Sequence, residues 1–243
     1  IGDVPRGVML NQAAIFLGGQ GGLIGPCRIG YGTVIAAGTV YRSDCPEGGK
    51  LLRQADASGR ETEFLAGYYG SVARRLYNNV YYIANLLALR EWYTHVRQPF
   101  LRLEDMGQEL YEGLQATLTL AVGERLKRFK DLSGKMEASL EIGKRLVAKD
   151  DRQEALLRQQ VEFRKNWGKI EEVLTGGHEQ TVDRGTRERF VKLMHDKMNE
   201  EKNYIKCIQG LDKDQAALGT AWLQAIVESV ANAVFEQLPS CKS

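Results

Sequence analysis

Between Leu17 and Val40 the sequence repeats every six residues: an aliphatic residue opens each hexad (Leu17, Leu23, Ile29, Ile35), and a small one takes its fifth place (Gly21, Cys27, Thr33, Thr39). Neither a helix nor an alternating strand has that period; it suits a parallel β coil of three flat sides, one hexad to a side. The leading aliphatic then points to the axis, the small residue fits beside a corner, and glycine supplies the positive φ that corners need. Three hexads complete a turn, which predicts Leu17 beneath Ile35, Leu23 beneath Tyr41 and Cys27 beneath Cys45. Neighbouring strands lie about 4.7–4.9 Å apart, a span that a disulfide tolerates, although cysteine usage typical of a reducing cytoplasm favours two thiols there.

Composition shifts along the chain. Residues 1–60 hold half of the 26 glycines and three of the five prolines, so two architectures share the 243 residues. Four clean hexads make little more than one turn, whereas stacked repeats need about three units and a cap to bury a continuous core. Earlier coils or covering partners are therefore expected. The first residue is Ile1 rather than Met, which suggests that an upstream part belongs to the natural protein and that any active site lies there. The organisation predicted is a coil over 1–46, a linker over 47–66 and a helical bundle over 67–243.

From Tyr68 the apolar period becomes helical. Helices are predicted over about 68–97, ending ahead of Pro99, and over about 103–131, 134–150, 151–174 (before Gly176-Gly177) and 184–209. A tail helix over 216–238 carries Gln224, Glu228, Asn232 and Glu236 as one solvated stripe, a pattern of a bundle helix rather than a membrane span. Tyr68, Tyr69, Tyr77, Tyr81, Tyr82, Tyr93 and Trp92 crowd the first helix beside Arg74, Arg75 and Arg90. Such interleaving can stack nucleobases, but balanced charge elsewhere favours packing.

The stretch Ile29-Gly30-Tyr31-Gly32-Thr33-Val34-Ile35-Ala36-Ala37-Gly38-Thr39-Val40-Tyr41-Arg42-Ser43-Asp44 resembles the closing coils of left-handed β-helix acyltransferases. It is particularly similar to those of bacterial N-acetylglucosamine-1-phosphate uridyltransferase/glucosamine-1-phosphate acetyltransferases and of UDP-N-acetylglucosamine pyrophosphorylase-related proteins. The resemblance spans residues 15–46, under a fifth of the chain. It implies a short left-handed parallel β-helix of hexapeptide repeats, which with the mostly antiparallel α-helical bundle read from the apolar period makes an α+β fold. It further implies a homotrimer with acetyl-CoA between neighbouring coils, held by the backbone of Ala36, Ala37, Gly38 and Thr39 and by Arg42. Such enzymes take their general base from a histidine on an earlier coil; here none precedes His95.

The expected function is thus the carboxyl-terminal part of a sugar-nucleotide-pathway transferase, taking a sugar phosphate or acyl-CoA, with coils that trimerise. The alternative is a non-catalytic structural or oligomerisation module. Other chemistries fit less well. Phe16-Leu17-Gly18-Gly19-Gln20-Gly21-Gly22-Leu23 has Gly22 and Leu23 where a pyrophosphorylase phosphate loop needs Thr and Arg, and Walker and dinucleotide patterns are absent. Residues three before His95, His178 and His195 are Trp92, Thr175 and Lys192, so no di-iron E-x-x-H pair exists. Glu91 and His95, one turn apart, suit an exposed pair better than a metal site, and His178 falls in a glycine-rich turn. No catalytic set or metal site is expected. A net charge of +2 gives no field for nucleic acid or an anionic membrane, and the four cysteines form no zinc or secreted-type framework, which fits the cytoplasm.

Overall fold

The computed structural model describes residues 1–53, 65–146, 151–175 and 184–241. Helices dominate, and among the described residues the β content is five strands of two residues each. After a short helix α1 (Val4–Gly7) come β1 (Phe16–Leu17), β2 (Gly22–Leu23), β3 (Val34–Ile35), β4 (Val40–Tyr41) and β5 (Leu51–Leu52). They form two small parallel sheets, ordered β1-β3-β5 and β2-β4. The expected α+β fold with a left-handed β-helix is therefore corrected: the chain is mostly helical, with a small parallel strand stack at its amino end.

The eighteen-residue spacing does appear in the register, since Leu17 pairs with Ile35 and Leu23 with Tyr41. It then slips. Val34 pairs with Leu51, and Cys45 bridges to Ile29 rather than to Cys27, so the predicted cysteine stack is absent and both remain thiols. Ile29, Thr33, Ile35 and Thr39 are buried, but Leu17 is 51% exposed. The reason is the shortness of the stack: with so few rungs, the outermost aliphatics have no further layer to cover them. Gly48 shows how tight the rungs are; its φ is +75°, and a Cβ there would stand 2.2 Å from the Tyr31 carbonyl oxygen.

The helical part begins at α2 (Ala73–Trp92). Leu76, Val80, Ile83, Ala84 and Leu87 recur at three- and four-residue steps and are buried, as the period predicts. The helix does not stop ahead of Pro99. A wide π turn, Tyr93–Arg97, leads into α3 (Gln98–Leu101). Proline lacks an amide hydrogen and crowds the carbonyl four residues back, and the widened turn absorbs that misfit.

Two predicted helices merge into one, α4 (Gly107–Leu146). Ser133 and Gly134 do not break it, because Phe129, Met136 and Leu140 are buried on either side of them and packing outweighs a propensity cost of about 1 kcal/mol. Conversely, predicted single helices divide: α5 (Asp151–Lys165) from α6 (Trp167–Thr175), and α7 (Arg184–Glu200) from α8 (Tyr204–Gln209). The tail helix is α9 (Lys213–Glu236), opened by a capping box in which Asp212 accepts from the Gln215 amide and the Gln215 side chain accepts from the Asp212 amide. Of the predicted stripe, Glu228, Asn232 and Glu236 are exposed along it and Gln224 is half-buried.

α2 and α9 form the central pair, flanked by α4, α6 and α7. Trp92, Phe190 and Trp222 meet at its heart with ring centroids 5.8–6.5 Å apart, and Phe129, Phe163 and Trp167 make a second aromatic trio. Met9, from the amino-terminal segment, is buried in the same core. Among the described residues no helix is long and apolar enough to cross a membrane.

Candidate binding cleft

The strand stack leans on α2 through a polar seam. Asp44 accepts from the Arg28 backbone amide (2.8 Å), from the Asn78 side-chain amide (3.2 and 3.3 Å) and from Arg74 (3.3 Å). Arg74 and Asn78 also donate to the Pro26 carbonyl, at 3.3 and 3.2 Å. Burial pushes the Asp44 carboxyl up, but the hydrogen bonds from Arg74, the Arg28 backbone and Asn78 outweigh it and leave the group below its ordinary range. Further along, the Val4 amide donates to Asn85 at 2.7 Å.

Between these tie points lies a cleft of about 890 Å³, within the usual range for small-molecule sites. One wall is the amino-terminal segment with Asp3 and Arg6, the other the 23–30 stretch of the stack; α2 forms the floor, with α4 and α9 contributing Arg125 and Gln224. The floor is one helical face, Asn78, Tyr81, Tyr82 and Asn85, at steps of three and four.

Three arginines and one aspartate line the cleft. Arg6 is paired with Asp3, its Nε 2.7 Å from Oδ2. Among the described residues, Arg28 and Arg125 form no ion pair. Arg28 lies over the Tyr77 ring at 4.4 Å and donates to its hydroxyl at 3.2 Å; Arg125 lies over Tyr82 at 4.6 Å and donates to Asn79 at 3.4 Å. Burial, and then the hydrogen bond with Tyr77, hold the Tyr81 hydroxyl protonated well above its ordinary range. Asn78 Oδ1 and Arg28 Nε are buried and have no hydrogen-bond partner among the described residues.

The residues singled out from sequence lie elsewhere. Ala36, Ala37, Gly38, Thr39 and Arg42 do not line the cleft. Three of the amides donate within the stack: Ala36 to Leu52, Gly38 to Gly19 and Thr39 to Ala36. Arg42 is exposed. Glu91, in α2, and His95, within the π turn, form a direct pair at 3.3 Å, and that hydrogen bond is the main reason the Glu91 carboxyl is lowered. His178 lies outside the described residues. Among those described, no cluster of three metal-ligating side chains occurs.

Leu23, Cys27 and Ile29 fall on hexad positions and Tyr81 and Tyr82 in an aromatic helix, but Arg28, Asn78, Asn85 and Arg125 were missed as site residues because no motif marks them. The signal was present in the α2 face, where Asn78 and Asn85, two helical turns apart, interrupt a run of tyrosines. Comparison with family models, with curated proteins and with solved structures returns no match.

Proposed function

We propose that this chain binds a phosphorylated sugar in the cleft, as a sugar-nucleotide-pathway transferase-like protein. The observation that carries the reading is the pair of arginines, Arg28 and Arg125, that form no ion pair among the described residues, in a cleft whose other polar lining is the Asp3–Arg6 pair, carboxamides and tyrosines. Partly desolvated guanidinium groups attract phosphate with charge-assisted hydrogen bonds, and carboxamides match hydroxyls. Titration calorimetry with α-glucose 1-phosphate tests it. Arg125→Ala is expected to weaken binding at least about tenfold, a typical loss for a charge-assisted bond, and rising salt to weaken the wild type. Equal affinity in the variant rejects the reading. A reducing, cytoplasmic setting belongs to the proposal, supported by four free cysteines.

A second reading, an assembly module, is favoured by one row on the strand stack: Phe16, Val34 and Leu51 are register partners and 61%, 39% and 53% exposed. The homotrimer implied by the resemblance is common to both readings, whereas acetyl-CoA at Ala36, Ala37, Gly38, Thr39 and Arg42 belongs to the transferase reading alone. If the row joins copies, Phe16→Lys lowers the mass measured by sedimentation velocity to that of one chain; a wild type that already sediments as one chain excludes it.

A further inference from the structure

α4 carries an exposed face that nothing among the described residues covers. Leu118 and Leu126 turn to the core, while Glu109, Gly113, Ala116, Leu120, Gly123 and Lys127 follow at steps of four and three on the other side, all exposed. No charged residue occurs from 113 to 123, and Leu120, within that stretch, is 73% exposed.

The glycines of this stretch are not explained from within the chain. A Cβ at Gly143 or Gly219 would meet a neighbouring side chain at 2.7 or 2.6 Å, whereas at Gly113 and Gly123 it would stand in open space. Glycine in a helix interior is costlier than any residue but proline, so smallness with no internal neighbour suits a surface that approaches from outside.

Charge identifies that surface. Within α4, Glu109 and Glu112 precede the uncharged stretch, and Arg125, Lys127, Arg128 and Lys130 follow it, with Arg128 held by Glu124 and Lys130 by Glu171. Glu109 and Lys127 form no ion pair among the described residues. A face that is acidic at one end and basic at the other complements a reversed copy of itself, whereas a copy in the same direction sets like charges together. A two-fold axis level with Leu118 places Glu109 opposite the partner's Lys127, Gly113 opposite the partner's Gly123 and Leu120 over the partner's Ala116. From Glu109 to Lys127 this contact runs for about 27 Å of helix.

We infer that α4 pairs antiparallel with the α4 of a second copy of this chain through this face. Leu120 of each copy seats among the small residues of the other, and the two Glu109–Lys127 pairs set the direction. The surface is separate from both the cleft and the exposed row of the strand stack.

Sedimentation velocity of the full chain at rising concentration tests it. Leu120→Glu is expected to halve the mass of the wild type and of Phe16→Lys alike, because it puts a charge on the apolar centre of the contact. Phe16→Lys by itself is expected to leave two chains together, which separates this pairing from one made by the strand row. Glu109→Lys and Lys127→Glu should each weaken association about tenfold, each reversal being felt twice across the axis, and the double exchange should restore it. A wild type or a Phe16→Lys that sediments as one chain at every concentration overturns the inference, as does an unchanged mass in Leu120→Glu. Single reversals without rescue in the double exchange overturn the antiparallel pairing. Should Leu120→Glu fail to fold, the exchange of the exposed charges decides the question.

Discussion

At the scale of single residues, Asp44 joins the two parts of the chain, and its protonation has a defined sign. Its folded-state pKa lies below the ordinary 3.8, so the ionised form stabilises the fold at neutral pH, and that contribution is lost as pH falls below about 4. Melting curves against pH should show wild type and Asp44→Asn far apart at pH 7 and converging in acid. Curves that stay parallel remove Asp44 from the account. The cysteines divide by accessibility. Cys207 and Cys241 are buried, and burial pushes the Cys241 thiol up to about 11, whereas Cys27 and Cys45 are half-buried. Iodoacetamide at pH 8 should modify Cys27 and Cys45 first, with mass spectrometry of digests reading the order. Residues of this kind were only partly legible in the sequence. Arg28 occupied an unremarkable place in a hexad, and its importance comes from Tyr77 and Asp44, which are distant from it in the chain and reach it only through the fold.

At the scale of elements, the periodic apolar positions of α2 and α9 could be read directly, because amphipathic spacing reflects burial. Boundaries were less legible. Gly134 marks no break in α4 and Pro99 no end, since both are local preferences of a few kcal/mol that neighbouring helices override or accommodate. Hexads misled in the opposite way: a correct local spacing was taken for a large architecture, whereas its extent depends on rungs that this stretch lacks. Gly219 illustrates an element chosen by its contacts. A Cβ there would lie 2.6 Å from both Met9 Cε and the Phe190 ring. Gly219→Ala is expected to cost about 1–3 kcal/mol despite alanine's better helix propensity, by denaturant titration. A neutral or stabilising result would mean that Met9 and Phe190 shift freely.

At the scale of the molecule, the cleft exists because the strand stack and the helices are locked at several points, and none of these is a contact that periodicity reveals. The amino-terminal segment supplies the firmest. It leaves the stack side, forms one wall of the cleft, gives its Val4 amide to Asn85 and ends with Met9 inside the helical core. A swing of the stack away from α2 would have to drag a buried thioether out of its aromatic surroundings. Breathing of the cavity is consequently a matter of rotamers, above all those of Arg28 and Arg125, while the walls keep their spacing like the jaws of a bolted vice.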